Sequence, residues 1–395
     1  MEIEALKVCV VHEYFDELGG AELVAISMLK VIKELGHEAM LFSASEVNAI
    51  EIKRKYGFSL DDIIVRSNLK TRYLTFSEKV LGLVGLGKAA RMRRLLAVNH
   101  LILEAMRNGC NVIIETHSNV PTRADISYIH YPATRSVSES TNTVDKVYNT
   151  IVKVIAKMVS KRSAFVLANS TWTANKIYED FSIIPLVLYP PARVEEFLEL
   201  SNKKKENIII TVSRFSPEKR LEEVIRIAKD LKEFTFYIVG SASEDSKYLR
   251  KLRNLKESME VNNLELKPNL SFDELKELIG RAKYYLHPPL VEHFGIAIVE
   301  AMAAGAIPFV LKDGGAWFDI VAPISRELGY SDIHEVIDKV RFLERDHERY
   351  SKLKESCVTH SKKFSFDAFK SSFSKTLNHI MRVKFLKSIM QVENS

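Results

Sequence analysis

The chain has 395 residues, 46% of them hydrophobic and 27% charged, with a formal net charge of +6. That composition excludes the disordered and fibrous classes, and +6 is too mild a balance to imply a nucleic-acid partner. The length exceeds what one hydrophobic core usually serves, so two domains are expected, each large enough to bury its own core.

Short runs rich in Val and Ile alternate with longer helical patterns, the signature of parallel sheets covered on both faces. Residues 1–5 lead into the apolar run 8–11, too short for a secretion signal or a membrane span, so nothing is expected to target the protein outward. A strand over 7–12, a helix over 21–35 and a strand over 38–42 come next. The segment 66–94 then gathers Arg66, Lys70, Arg72, Lys79, Lys88, Arg91, Arg93 and Arg94 against the single acid Glu78, with apolar residues between them. It reads either as a surface for anionic partners, a membrane face included, or as a solvated helix pair.

Further strands are expected over 112–115, 126–130 and 165–168. The apolar stretch 151–168 approaches the length of a membrane span but is broken by Lys153, Lys157, Lys161 and Arg162, so any membrane contact would be peripheral. The run from Leu188 to Ala192, with Pro190 and Pro191, and the polar residues 201–207 interrupt the pattern, which places a linker over 191–206 between domains 1–190 and 207–365. The second half repeats the alternation: strand 208–212, helix 221–231, strand 234–239, helix 273–281, strand 284–287, a helix from Gly295 to Gly305, and strand 307–311. A last helix runs from about Phe366. The fold class is therefore α/β, two doubly wound domains, with ligands expected in the loops at the carboxyl ends of the strands. The three cysteines, Cys9, Cys110 and Cys357, are scattered and odd in number, which predicts a chain without a disulfide framework in a reducing cytoplasm.

The loops carry the chemistry. After the first strand, Gly19 and Gly20 open a helix, where backbone N–H groups can meet an anion; the bland alternative is a helix-entry turn. Neither a G-x-G-x-x-G nor a G-x-x-x-x-G-K-[ST] string is present, which sets nicotinamide dehydrogenases and P-loop ATPases aside. After strand 208–212 come Arg214 and Lys219, a planar fork and a point charge that together can offset a diphosphate without a metal. The run from His287 to Gly305 holds Glu292 before an apolar helix and Glu300 within it. A lone carboxylate in such a helix needs a partner, which ribose hydroxyls would supply, while Gly295 frees the helix start for a diphosphate and Glu292 can contact a donor sugar. His130, ending strand 126–130, can donate to a sugar hydroxyl or a phosphate oxygen, or is simply structural. Asn169 and Ser170 read as an N-cap signal. There is no Asp-x-Asp, H-E-x-x-H, C-x-x-C or G-x-S-x-G, so neither a metal cofactor nor serine hydrolysis is expected.

At these loops, and at the strings 128–132, 169–173 and 189–191, the sequence resembles family 4 glycosyltransferases of the GT-B fold over nearly its whole length. Several strings are of the kind found in α-1,2-mannosyltransferases that elongate dolichol-diphosphate-linked oligosaccharides from GDP-mannose. The resemblance implies two Rossmann-like domains facing a cleft and a C-terminal helix, 366–395, crossing back to the first domain. It also implies a metal-independent transfer that retains configuration, from a nucleotide-sugar donor to a lipid-linked or glycan acceptor, at the cytoplasmic membrane face. Glu292 and His130 take the catalytic places, and Gly19, Gly20, Arg214, Lys219, His293, Phe294, Gly295, Ile296 and Glu300 the donor-binding ones. The alternatives are a soluble UDP-sugar-dependent glycosyltransferase, a sugar-nucleotide epimerase and a non-catalytic binding protein of the same fold.

Overall fold

The computed structural model describes residues 5–67, 87–135, 150, 153–154, 165–243 and 245–392. The basic stretch therefore lies outside the described residues except for Arg66, and for a helical backbone over 87–94 whose side chains are not described. The chain divides into two compact units, Met1–Pro191 with Phe369–Ser395, and Ala192–Ala368.

Unit 1 is built on a parallel sheet of strands β1 (Lys7–Val11), β2 (Glu38–Ser43), β3 (Ile64–Ser67), β4 (Val112–Glu115), β5 (Ile126–Ile129), β6 (Phe165–Ala168) and β7 (Leu186–Val187), in spatial order 3-2-1-4-5-6-7. Its helices among the described residues before unit 2 are α1 (Gly20–Glu34), α2 (Ala49–Tyr56), α3 (Gly87–Arg107) and α4 (Thr171–Phe181). Strands β1, β2 and β4 are buried almost throughout, which explains their continuous apolar runs. One core cluster packs Cys9, Val11, Met40, Phe42 and Ile113 of the sheet against Val98, Leu101, Ile102 and Ala105 of α3. Ser170 caps α4 by accepting the Thr173 N–H at 3.1 Å, as its position after a strand implies.

Unit 2 repeats the architecture with β8 (Glu206–Val212), β9 (Thr235–Gly240), β10 (Leu264–Pro268), β11 (Ala282–Leu286), β12 (Ile307–Leu311) and β13 (Gly329–Tyr330), in spatial order 10-9-8-11-12-13. The helices are α5 (Val194–Leu198), α6 (Leu221–Asp230), α7 (Lys247–Ser258), α8 (Phe272–Arg281), α9 (Ile296–Ala303), α10 (Glu335–Arg345) and α11 (His347–Ser361). Every strand pairing in both sheets is parallel. The unit begins at Ala192, so the stretch expected as a linker carries a helix, α5, and the start of β8.

The last helix, α12 (Phe366–Val392), starts at the end of unit 2 and continues into unit 1. There it buries Phe369, Phe373, Leu377, Ile380 and Met381. It is tied by Lys370 to Glu34 at 2.6 Å and by Lys384 to Asp125 at 2.7 Å, and His379 meets Phe165 edge-on.

The cysteine reading needs correcting. Cys9 in β1 and Cys110, just before β4, form a disulfide, while Cys357 is free and buried. Sequence spacing could not reveal the pair, because the partners lie 101 residues apart and meet only since β4 returns beside β1. The bond removes the ground for inferring a reducing compartment from cysteine usage. No described helix is long and apolar enough to cross a membrane.

Candidate active site

In a doubly wound sheet the strands on either side of the order reversal send their connections to opposite faces, which opens a crevice at their carboxyl ends. In unit 2 the reversal lies between β8 and β11, and the two loops singled out in the sequence leave from there. The loop after β8 ends in a 3-10 turn, Pro217–Lys219. Gly240 at the end of β9 gives this loop its room, since a Cβ there would lie 1.7 Å from the Ser213 carbonyl oxygen. The loop after β11 ends at Gly295, whose φ of +105° turns the chain into α9. Gly314 (φ +83°) packs so closely that a Cβ would stand 2.4 Å from the Glu292 carbonyl oxygen. That oxygen also accepts the Ala316 N–H, so the backbone at Glu292 is held from the side of β12.

The Glu292 carboxylate is the centre of the cluster. Its Oε2 accepts from Lys219 Nζ at 3.1 Å and lies 3.3 Å from His287 Nε2, while its Oε1 takes the His293 N–H at 3.1 Å. Burial pushes this carboxyl up, but contact with His287 and the charges of Lys219 and His287 outweigh it and hold the group well below the usual carboxylate range. His287 is buried, stacked on Tyr285, and its carbonyl accepts the Tyr330 hydroxyl at 2.5 Å. Its Nε2 contact with Glu292 lacks hydrogen-bond alignment, so both ring nitrogens keep hydrogen-bonding capacity in reserve. Burial likewise pushes the His293 imidazole down. Phe294 is buried edge-on against Phe364, and Ile296 is the first residue of α9.

Two donor-site expectations take a different form here. Arg214 is 62% exposed and pairs with Glu218 at 3.7 Å, whereas Lys219 pairs with Glu292 at 3.1 Å. Glu300, surrounded on α9 by buried Ile298, Val299, Ala301 and Met302, has a protein partner: its Oε1 accepts from Arg193 Nε at 2.8 Å.

In unit 1 the order reverses between β1 and β4, and a second polar cluster stands there. His12 follows β1, and its Nδ1 meets Thr116 Oγ1 at 2.9 Å while its Nε2 meets Glu22 Oε1 at 3.3 Å. Glu22 in turn accepts the Gly19 N–H at 2.7 Å, so a carboxylate already occupies the helix start at Gly19 and Gly20. His117 follows β4 and stacks on His12 with ring centres 4.7 Å apart. Its Nδ1 lies 3.4 Å from Oε2 of Glu13, a carboxylate with no exposed surface, whereas the imidazole is 18% exposed. His130 Nε2 faces the Thr116 carbonyl at 3.1 Å, which favours the tautomer that donates from Nε2. Burial first, and the charges of His12 and His117 next, push its pKa down to about 3, so its ring is neutral.

Of the residues the sequence singled out, Lys219, Glu292, His293 and Gly295 are brought together, and Glu300 is the fifth residue of α9, little more than one turn along it. Residues not singled out are His12, Glu13, Glu22, Glu115, His117, His287 and Arg193. Four of them, His12, Glu13, His117 and His287, lie within two residues after a strand, close to the signal that drew attention to His130. No group of three or more His, Cys, Asp or Glu placed to hold a metal ion occurs among the described residues.

Comparison with known proteins joins these features. Residues 193–357 match the family model described as glycosyl transferases group 1. A structure of a glycosyltransferase from Rickettsia africae superposes with a TM-score of 0.67 at 15% identity, covering 96% of this chain and 99% of the other. The fold is GT-B. The resemblance read from the motifs is thus borne out, and so are the two parallel α/β sheets and the C-terminal helix expected of that fold. Similarity in sequence extends over both units. A Mus musculus protein named GDP-Man:Man(3)GlcNAc(2)-PP-Dol alpha-1,2-mannosyltransferase is 27% identical over 366 residues, 79% of this chain and 73% of that one. A Homo sapiens protein of the same name is 26% identical over 429 aligned residues, 94% of this chain and 86% of that one.

Proposed function

We propose that this GT-B chain is a retaining, metal-independent glycosyltransferase that moves mannose from GDP-mannose to a lipid-linked glycan at the cytoplasmic face of a membrane. The observation that carries this reading is the Lys219–Glu292–His287 cluster at the switch point of unit 2, set directly before the N-terminus of α9. A helix N-terminus offers N–H groups and a favourable dipole to a diphosphate. A diphosphate bound there draws Lys219 from Glu292 and leaves that carboxylate, held ionised, to accept hydrogen bonds from hydroxyls of the donor sugar. Glu300 takes the ribose hydroxyls, and Arg214, turning from Glu218 to the diphosphate, adds the planar fork.

In the transfer the anomeric carbon–phosphate oxygen bond breaks and a bond to the acceptor hydroxyl oxygen forms on the same face. The hydroxyl proton passes to the departing diphosphate. Stabilising the charge that grows on that diphosphate is the main work of Lys219, Arg214 and the α9 terminus. The acceptor is assigned to unit 1. There His117, braced by Glu13, joins the half-buried, neutral His130 as a candidate to meet a sugar hydroxyl. The relatives' names support mannose and a dolichol-linked acceptor for this chain too.

The test is a metal-free titration with GDP, UDP, ADP and their sugar conjugates, followed by thermal stabilisation, and then transfer to a mannosylated polyprenyl-diphosphate acceptor in excess EDTA. Selective stabilisation by GDP and GDP-mannose with α-linked product is expected. Selective UDP-sugar binding would overturn the donor, and no binding would point to a non-catalytic protein. Lys219→Ala should weaken GDP-mannose binding by about tenfold or more. Glu292→Ala should bind the donor and lose roughly a hundredfold in turnover.

A further inference from the structure

Arg193 is the second residue of unit 2 and stands just before α5. Its guanidinium carbon lies 4.0 Å from the ring centre of Phe272, the first residue of α8. Phe272 is itself braced edge-on by Phe197 of α5 at 6.0 Å. From this stack Nε reaches Glu300 Oε1 at 2.8 Å, with side-chain exposures of 23% for the arginine and 5% for the glutamate. Arg193 and Glu300 are 107 residues apart in sequence, and the pair joins α5 to the one acidic position of α9.

The two contacts have different consequences. The ion pair compensates the burial of Glu300 among apolar neighbours, which would otherwise be costly. The stack fixes the plane of the guanidinium, and a planar cation held in place fixes the direction of the carboxylate it binds; a lysine offers charge without that plane. We propose that Arg193 is a positioning residue for the nucleotide donor: held on Phe272, it anchors Glu300 through Oε1, so that the ribose hydroxyls meet a carboxylate already aimed. This rests on Glu300 being the ribose-binding group of the proposed function. A bridge that only fastens α5 to α9 would contribute to stability and leave donor affinity alone.

The experiment is a double-mutant cycle read by calorimetric titration of GDP-mannose and GDP against the full chain, with unliganded melting temperatures measured in parallel. The variants are Arg193→Leu, Arg193→Lys, Glu300→Gln and Arg193→Leu with Glu300→Gln. Arg193→Leu should weaken GDP-mannose binding about tenfold, and Arg193→Lys should fall between it and the parent. The donor KM should rise by the same factor with kcat within about threefold. The double variant should bind no more weakly than Glu300→Gln alone, because Arg193 acts through Glu300. A lowered melting temperature with unchanged affinity overturns the proposal, as do losses that multiply in the double variant. If Arg193→Leu does not fold, Arg193→Lys decides: weaker binding at an unchanged melting temperature supports positioning, and unchanged binding refutes it. A parent protein that binds neither nucleotide refutes the donor reading itself, and this inference with it.

Discussion

Glu115 sits at the end of β4 without exposed surface. It accepts the N–H groups of His117 and Ser118 at 2.6 Å each and the Ser118 hydroxyl at 2.5 Å. Those donors favour the charged form, yet burial prevails and pushes the carboxyl up to about 7 from 4.5. The folded protein therefore holds this proton more tightly than the unfolded chain does. Its contribution is complete below pH 4.5 and is lost as pH rises through about 7, a change of roughly 3 kcal/mol. Urea unfolding at pH 5 and pH 8 should show Glu115→Gln losing less stability across that interval than the parent. Identical losses in the two proteins would mean that Glu115 titrates normally. Glu115 also marks where sequence reading stops. Its strand is read correctly to the residue, but His12, Glu13, Glu115 and His117 form a cluster only because β4 lies beside β1. That adjacency joins residues about a hundred positions apart and leaves no periodic trace in either segment.

At the scale of elements, legibility follows position in the sheet. Strands β4, β6 and β12, flanked on both sides by other strands, match the apolar runs 112–115, 165–168 and 307–311. Strands β3, β7, β10 and β13 escape the pattern, and all four stand at sheet edges. Of these, β3 and β10 are largely exposed or half-buried, so polar residues interrupt them. The candidate donor loops were legible because each follows a well-marked buried strand, β8 and β11. The Cys9–Cys110 bond belongs to this scale too, since it clips neighbouring strands across a 101-residue separation. Closing a loop of that length stabilises by up to about 5 kcal/mol in the chain-entropy view. Cys110→Ser, or the parent protein under reductant, should unfold at lower urea with a loss of roughly 3–5 kcal/mol. Thiol titration of the denatured, unreduced parent should find Cys357 alone; reactive thiols at Cys9 and Cys110 as well would refute the bond.

At the scale of the molecule the two units differ in kind. Unit 2 is one continuous segment, Ala192–Ala368, whereas unit 1 is assembled from Met1–Pro191 and Phe369–Ser395. Unit 2 also carries the whole Lys219–Glu292–Arg193–Glu300 constellation. Produced alone, 192–368 should fold cooperatively and bind GDP within about tenfold of the full chain. Produced alone, 1–191 should be poorly folded, because it lacks the apolar face of α12, and adding a peptide covering 366–392 in trans should restore structure. Circular dichroism and amide hydrogen exchange of the two pieces check this; a stably folded 1–191 would show that α12 is an accessory.

The discontinuity of unit 1 also sets a timetable for synthesis. Strands β1 to β7 leave the ribosome first, yet the helix that covers part of their core is translated only after the whole of unit 2. At about 5–20 residues per second, that leaves the nascent unit 1 incomplete for roughly ten to forty seconds. Unit 2, made later, is the first to possess all of its own sequence. Birth order and completion order are thus reversed, and the exposed face awaiting Phe369, Phe373 and Leu377 is where a nascent-chain chaperone would be needed.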